Sequence, residues 1–483
     1  MSETICAIAT ATGGALGIIR ISGQEAIEIA SNIFIPKNRK QSFAEMHNNY
    51  TVFGLIKDGD ETLDEAMATK FQAPHSYTGE DSVEFSCHGS AYILNRVIQI
   101  LVSKGCRLAN PGEFTERAFL NGKIDLSQAE AVADLIASRS KVAHKVAMNQ
   151  LKGGFKDRIA ELRKKLLNIQ SLLELELDFS DHEDLEFADR TKLISLAEEI
   201  KKEMESLIHS FTSLNTVKSG IPVAIIGNTN VGKSTLMNAL LSDSRAIVSD
   251  IAGTTRDTIE EPLIINGVEF RLIDTAGIRE TNDVVEKLGI NKTFQVIDNS
   301  PIIIWVVSAP DILKGESSGY DKEITRIFKK EKKLIIVINK IDVLSNDESK
   351  EKAELIIKEL INKIYKSDSK IEYGCKTKQV SIVMTSAKNG KGLGSLEKEL
   401  SNAAHIDETA PADIIVVNER HYQALSKAVI NIKSVIDGMN NHLSADLISQ
   451  DLRETNFHLS SISGEITSQD VLNNIFSNFC IGK

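Results

Sequence analysis

The octapeptide Gly227-Asn228-Thr229-Asn230-Val231-Gly232-Lys233-Ser234 sets two glycines, a lysine and a hydroxyl at the spacing G-x-x-x-x-G-K-[ST]. Such a loop wraps backbone N–H groups around a β-phosphate at a helix N-terminus, and its lysine neutralises the β/γ oxygens. Ser234 offers a hydroxyl to Mg2+, and the phosphate-contacting stretch is Asn230, Val231, Gly232, Lys233, Ser234 and Thr235. Further along, Asp274-Thr275-Ala276-Gly277 would put a carboxylate near Mg2+ and the Gly277 N–H near a γ-phosphate. Asn339-Lys340-Ile341-Asp342 closes another strand pattern. The Asp342 carboxylate can accept from both N1–H and the exocyclic amine of guanine, and adenine would leave it unpaired. Ser386-Ala387-Lys388 ends the last strand pattern and can close over the base. The nucleotide specified is guanine.

How water is activated is less plain. Many GTPases place a Gln directly after D-x-x-G to orient the attacking water. Here Ile278 stands there and cannot hydrogen-bond. One source of help is the loop Ser249-Asp250-Ile251-Ala252-Gly253-Thr254-Thr255-Arg256-Asp257. The other reading makes it a loop whose one fixed member is Thr255, a Mg2+ ligand. Spacing alone leaves both open.

These motifs need strand-to-helix turns, and the surrounding pattern supplies them. Strand patterns at 223–226, 302–307, 334–339 and 380–386 alternate with helical ones at 234–241, 321–329, 352–365 and 396–403. A hairpin over 258–265 and 268–274 turns at Asn266-Gly267. This rhythm predicts a doubly wound parallel sheet. Residues 1–121 mix strands (17–23, 82–87) with helices (24–34, 91–104), an α+β texture. From about 127 to 211 the chain is helical, with Leu162, Leu166, Ile169, Leu173 and Leu177 on one stripe. It is helical again from 417 to 479. The expected architecture is a multidomain α+β and α/β protein: an N-terminal domain (1–121), a helical domain in two parts (122–216 and 408–483), and an inserted P-loop G domain (217–407).

Composition bounds the class. With 483 residues, 42% apolar and 25% charged, the chain has the balance of a soluble protein of several domains. Its net charge of −11 argues against a broad non-specific nucleic-acid surface while permitting a local basic patch. Cys6, Cys87, Cys106, Cys375 and Cys480 show no C-x-x-C spacing, so neither a zinc site nor a disulfide framework is expected. No apolar run approaches membrane-span length, and the acidic Met1-Ser2-Glu3-Thr4 is unlike a secretory signal. The expectation is a cytoplasmic protein with no membrane contact.

Beyond the nucleotide motifs, four stretches carry a resemblance: Ile19-Arg20-Ile21-Ser22-Gly23, the run Pro111-Gly112-Glu113-Phe114-Thr115-Glu116-Arg117-Ala118-Phe119-Leu120-Asn121-Gly122-Lys123, the loop 250–257, and the terminal Cys480-Ile481-Gly482-Lys483. Over essentially its whole length the sequence resembles the tRNA-modification GTPases of the MnmE (TrmE) family. The resemblance implies a K+ ion beside the phosphates in place of an arginine finger, held by Asn230, Ser249, Ile251 and Thr254, with Ser249 and Ile251 acting through backbone carbonyls. It implies that the nucleotide also contacts Asp250, Ala252 and Gly253, and that Glu286 orients water through a bridging water. From the residues alone Glu286 reads as a solvated helix charge. Thr229 departs from the Pro that many members carry.

The resemblance also implies an N-terminal tetrahydrofolate-binding module that forms a homodimer, with Arg20, Glu84, Lys123 and the terminal Lys483 holding a 5-formyl- or methylene-tetrahydrofolate. Further implied are a heterotetramer with the FAD-dependent MnmG (GidA) subunit, FAD on that partner, and a tRNA substrate modified at C5 of a wobble uridine. Cys480 reads either as a reactive thiol beside Lys483 or as a small packing residue. Asp181-His182-Glu183-Asp184 reads as a solvated inter-helix loop, since adjacent residues on a helix point different ways. Two other classes compete: a ribosome-assembly or signalling GTPase, and a folate enzyme with a regulatory G domain. The first would more often carry a basic RNA-binding appendage, and the second lacks a separate nucleophile or reductase motif.

Overall fold

A computed structural model describes residues 3–37, 41–178, 190–218, 220–243, 260–274, 295–315, 327, 332–344, 346–367, 380–404, 418–477 and 479–482. The chain divides into two compact units. One contains Met1–Ala137, Ala147–Ile208 and Glu419–Lys483; the other contains Ser138–Val146 and His209–Asn418.

The first unit begins with seven strands: β1 (Ile5–Ile8), β2 (Leu16–Ser22), β3 (Phe34–Pro36), β4 (Thr51–Asp58), β5 (Glu61–Phe71), β6 (Ser82–His88) and β7 (Arg107–Leu108). They form one sheet in the order β3-β4-β5-β6-β2-β1-β7. Its neighbours are antiparallel except β1 and β7. Alternation along β2 buries Ile19 and Ile21 among Phe34, Phe43 and Phe85. The helices Ala26–Ile33 and Ala91–Ser103 add Ile29, Ile33, Leu94 and Val97 to that core. Arg20 and Glu84, two residues out of phase with that core, become direct cross-strand partners of β2 and β6.

The β4–β5 hairpin, the longest in this sheet, escapes a hydrophobicity reading because Asp64 and Lys70 lie on the buried side of β5. Each has a dedicated partner. Asp64 accepts from the His88 backbone N–H at 2.9 Å, and Lys70 Nζ donates to the Ala44 carbonyl. A buried charge satisfied in this way breaks the apolar alternation without breaking the strand.

The helical part of this unit includes Leu126–Ala137, Gly154–Asp178, Glu419–Asn440 and Ala445–Ser463. Leu162, Leu166, Ile169 and Leu173 of the expected stripe are fully buried; the side chain of Leu177 and the acidic run 181–184 lie outside the described residues. The helical stretch expected over 417–479 is three helices, ending with Gln469–Ser477. Gly464, at φ +84°, ends the second of them. Phe476 and Phe479 pack with Leu126, Ala129 and Leu472.

The second unit holds β8 (Ile221–Ile226), β9 (Glu260–Ile265), β10 (Val268–Asp274), β11 (Ile302–Ser308), β12 (Lys333–Asn339) and β13 (Val380–Met384). Their order is β13-β12-β11-β8-β10-β9, parallel except for the β9 edge. β8 is central, and the chain fills one side of it before returning to the other, so the strand order reverses at β8. β11 reads Ile-Ile-Ile-Trp-Val-Val-Ser and is buried throughout, as a strand covered on both faces must be. The helices Lys233–Asp243, Asp347–Ser367 and Leu393–Ala403 follow β8, β12 and β13. Of the helix expected over 321–329, only Ile327 is among the described residues.

Candidate functional site

The loop after β8 is shaped by two glycines. A Cβ on Gly227 would stand 2.4 Å from the Val306 carbonyl, and one on Gly232, at φ +98°, 2.4 Å from Asn339 Nδ2. No side chain fits at either position, so the loop backbone lies directly against β11 and the end of β12. Lys233 is buried, and its Nζ donates to the carbonyls of Gly227 at 2.9 Å and Asn228 at 2.8 Å. The ammonium is thereby aimed back into the loop that its own helix opens. Ser234 and Thr235 are exposed in the first turn of that helix. Ser234 Oγ donates to Asp274 Oδ2 at 3.5 Å, which brings together two hard oxygens from β10 and the helix. Such a pair suits Mg2+.

Asn339 joins the nucleotide motifs. It is buried at the end of β12, and its Nδ2 donates to the Val231 carbonyl at 3.0 Å. Its Oδ1 accepts from the Ala387 N–H at 3.0 Å and the Thr385 hydroxyl at 3.2 Å. One side chain therefore fixes the phosphate loop against the segment after β13. Lys340, at φ +63°, donates from Nζ to the Asn230 carbonyl at 2.6 Å and adds a second tie. Asp342 is exposed, and its Oδ1 accepts from the Ser386 hydroxyl at 2.6 Å. That hydroxyl holds the carboxyl below its ordinary range, with Lys388 and Lys340 contributing, so the group stays an acceptor. Val231 and Ala387 are buried beneath the site.

The structure thus brings together Asn230, Val231, Lys233, Ser234, Asp274, Asn339, Lys340, Asp342, Ser386 and Ala387. Gly232 abuts Asn339, Lys388 adds positive charge near Asp342 and Thr235 lies in the helix's first turn, whereas Ser249, Asp250, Ile251, Ala252, Gly253, Thr254, Thr255, Thr275, Ala276, Gly277 and Glu286 lie outside the described residues, as does Lys483. Thr385 was not singled out from the sequence; a threonine at a strand end carries no distinguishing signal.

In the first unit, Arg20 donates to Glu84 Oε1 from Nε at 2.8 Å and from its NH2 nitrogen at 2.7 Å. The guanidinium carbon lies 5.6 Å from the ring centres of both Tyr77 and Phe114. Its remaining nitrogen reaches the Gly482 carbonyl at 3.4 Å, which brings the chain end to this site. Lys123 Nζ donates to the Pro74 carbonyl at 2.9 Å, on the segment that carries Tyr77. Neither Tyr77 nor Phe114 has a role legible in the sequence, although Phe114 stands inside the run 111–123 that carries the resemblance. Cys480 is exposed, and its carbonyl accepts from the Gly112 N–H at 3.4 Å. Cys6, Cys87 and Cys106 are buried, and burial pushes the Cys87 thiol up to about 12. Cys375 lies outside the described residues.

Comparison with known proteins bears directly on this pairing of sites. The family model described as "MnmE helical domain" matches residues 126–480, and "GTP-binding protein TrmE N-terminus" matches residues 4–123. The chain belongs to the MnmE family. The tRNA modification GTPase MnmE of Bacteroides thetaiotaomicron is 52% identical over 481 residues, covering 100% of this chain and 99% of the relative. The MnmE of Parabacteroides distasonis is 48% identical with 100% of both chains covered. That of Flavobacterium johnsoniae is 47% identical, covering 100% and 99%. MnmE identity therefore extends over both units and through the C-terminal tail. No helix among the described residues is long and apolar enough to cross a membrane.

Proposed function

We propose that this chain hydrolyses GTP to GDP and phosphate and couples that cycle to tRNA modification. With an FAD-dependent MnmG (GidA) subunit, it installs a carboxymethylaminomethyl-type group on C5 of wobble uridine, using a tetrahydrofolate one-carbon unit. The observation that carries the reading is the Asn339 bridge. It ties the phosphate loop at Val231 to the Ser386 segment that holds Asp342, in a chain related end to end to tRNA modification GTPases.

In this reading Lys233 neutralises the β/γ oxygens, and Ser234 with Thr255 holds Mg2+. Asn230, Ser249, Ile251 and Thr254 hold K+, which supplies the positive charge an arginine finger would bring. Glu286 orients the water that attacks the γ-phosphorus while the bond to the β-phosphate oxygen breaks. The nucleotide is further lined by Asp250, Ala252, Gly253, Thr275, Ala276, Gly277, Lys340 and Lys388. Ser234 and Asp274 already offer two oxygens from different elements, which fits a hard divalent ion.

Arg20, Glu84, Lys123 and Lys483 hold the folate. A pterin presents ring N–H and amino groups to a carboxylate, and its glutamate tail presents carboxylates to cations. The Arg20–Glu84 pair offers one group of each kind on adjacent strands. Cys480 serves as a thiol in the modification step. The segments 1–121, 122–216, 217–407 and 408–483 act as folate and dimerisation domain, first helical part, G domain and second helical part. The protein works in the cytoplasm as a homodimer within a heterotetramer with the FAD-dependent subunit.

The two sites should be separable. Saturable tetrahydrofolate binding by the full-length protein, read by calorimetry, should weaken about ten-fold or more in Arg20→Ala, because a charge-assisted contact is lost. Lys233→Ala should bind folate like the wild type. Absence of binding by the wild type at high protein concentration would refute the folate assignment.

A further inference from the structure

The nucleotide unit is an insertion, so the chain leaves the first unit and re-enters it at defined points: out after Ala137 and back at Ala147, then out after Ile208 and back at Glu419. Within the first unit, residues near three of those four crossings meet in one buried cluster. Glu130 lies about two helical turns before the first exit. Arg420 and His421 open the helix that begins at the last re-entry. Arg420 reaches both carboxylate oxygens of Glu130, at 2.9 and 3.0 Å, and His421 Nε2 lies 2.7 Å from Oε2. The His421 ring stacks on Phe155 at 5.0 Å, and Phe155 opens the helix Gly154–Asp178 that follows the second crossing.

Packing alone does not account for this cluster. His421 is 1% exposed and Glu130 8%, so both charges and dipoles have left water. Among the described residues His421 Nδ1 has no hydrogen-bond partner. Burial pushes the Glu130 carboxyl up, but His421 and Arg420 together bring it down to about 2, so it stays charged. Apolar residues of the same volume would serve stability at least as well. What a directional ion network adds is register: it fixes which turn of one helix faces which turn of the next.

The network also continues away from the crossings. Arg420 donates to the carbonyls of Ser461 at 2.6 Å and Ile462 at 3.0 Å, in the last turn of the helix Ala445–Ser463. Gly464 follows, so tightly placed that a Cβ would stand 2.7 Å from Leu126 Cβ. Beyond it come the helix Gln469–Ser477 and the tail whose Gly482 carbonyl meets Arg20. We infer that Glu130, Arg420 and His421 couple the two sites, registering the chain crossings of the nucleotide unit against the C-terminal tail at the Arg20 pocket. They are positioning residues: the contacts described are with one another, with Phe155 and with the end of the helix Ala445–Ser463. The inference rests on the reading that hydrolysis drives tRNA modification.

Two variants test it in the full chain. Glu130→Gln removes the charge and keeps the shape. His421→Phe keeps the stack on Phe155 and the Glu130–Arg420 pair while removing both imidazole nitrogens, and Tm is read for each variant so that a loss of fold is separated from a loss of coupling. Each is expressed in cells lacking the chromosomal gene, and tRNA nucleosides are quantified alongside GTP hydrolysis by the purified protein. The expected result is hydrolysis near wild type with modification down about ten-fold, the scale of a typical coupling energy. Unchanged modification in both variants overturns the inference. So does a parallel fall of hydrolysis and modification with a lowered Tm, which marks a purely structural cluster. If wild-type protein restores no modification, the functional reading itself fails and this inference with it.

Discussion

Changing Asp342 to Asn should move the preferred nucleotide from guanine to xanthine, with kcat/KM for GTP falling about 10^3-fold or more. The guanine edge presents two donors, N1–H and the exocyclic amine, to one carboxylate. Asp342 is held for that task by the Ser386 hydroxyl at 2.6 Å, while its exposed side faces away from the protein. An amide keeps one acceptor and gains a donor, which clashes with the guanine amine and suits the extra carbonyl of xanthine. The loss is large because the mismatched pair leaves a desolvated donor without an acceptor. Steady-state hydrolysis of GTP, ATP and XTP by both proteins checks this. Similar rates for all three with wild-type protein would contradict the assignment of Asp342.

Hydrolysis in K+ should exceed that in Na+ at matched ionic strength by about ten-fold or more, since the ion replaces an arginine finger's charge. Two residues motivate the expectation. Ile278 occupies the position from which a Gln would orient water, so the charge and the water must be managed otherwise. Asn230 has its backbone carbonyl occupied by Lys340 Nζ, while its side chain is exposed at φ +63° beside the phosphate loop. The side-chain oxygen is therefore the atom it can offer to a monovalent ion. Asn230→Ala should lose most of the K+ effect while retaining nucleotide binding, measured by fluorescence of a labelled GTP analogue. A rate indifferent to K+ would remove the ion from the mechanism.

The nucleotide motifs were legible because phosphate and base recognition each demand fixed residue types at fixed local spacing. The strands were legible where apolar runs were continuous, as in β11 and β12. What holds the motifs to one another was not. The Asn339–Val231 contact spans 108 residues of sequence and the Arg20–Gly482 contact 462, and no periodicity encodes either. The β5 strand was hidden by Asp64 and Lys70, whose partners lie in other elements. The break at Gly464 was available in principle, since a glycine after an apolar stripe is a helix stop. The Tyr77 and Phe114 rings flank Arg20 only because β2 brings it to them. The family likeness supplied the folate, K+ and partner expectations, which neither composition nor spacing carried.

The central claim joins GTP hydrolysis to tRNA modification in one chain, and mass spectrometry of tRNA nucleosides tests it most directly. Cells lacking the gene are compared with the same cells expressing the wild-type chain or Lys233→Ala, whose loss removes the buried ammonium from the phosphate loop. The account predicts that C5-modified wobble uridine disappears on deletion, returns with the wild-type chain and stays absent with Lys233→Ala. Undiminished modified uridine in the deletion strain, or full restoration by Lys233→Ala, would contradict it.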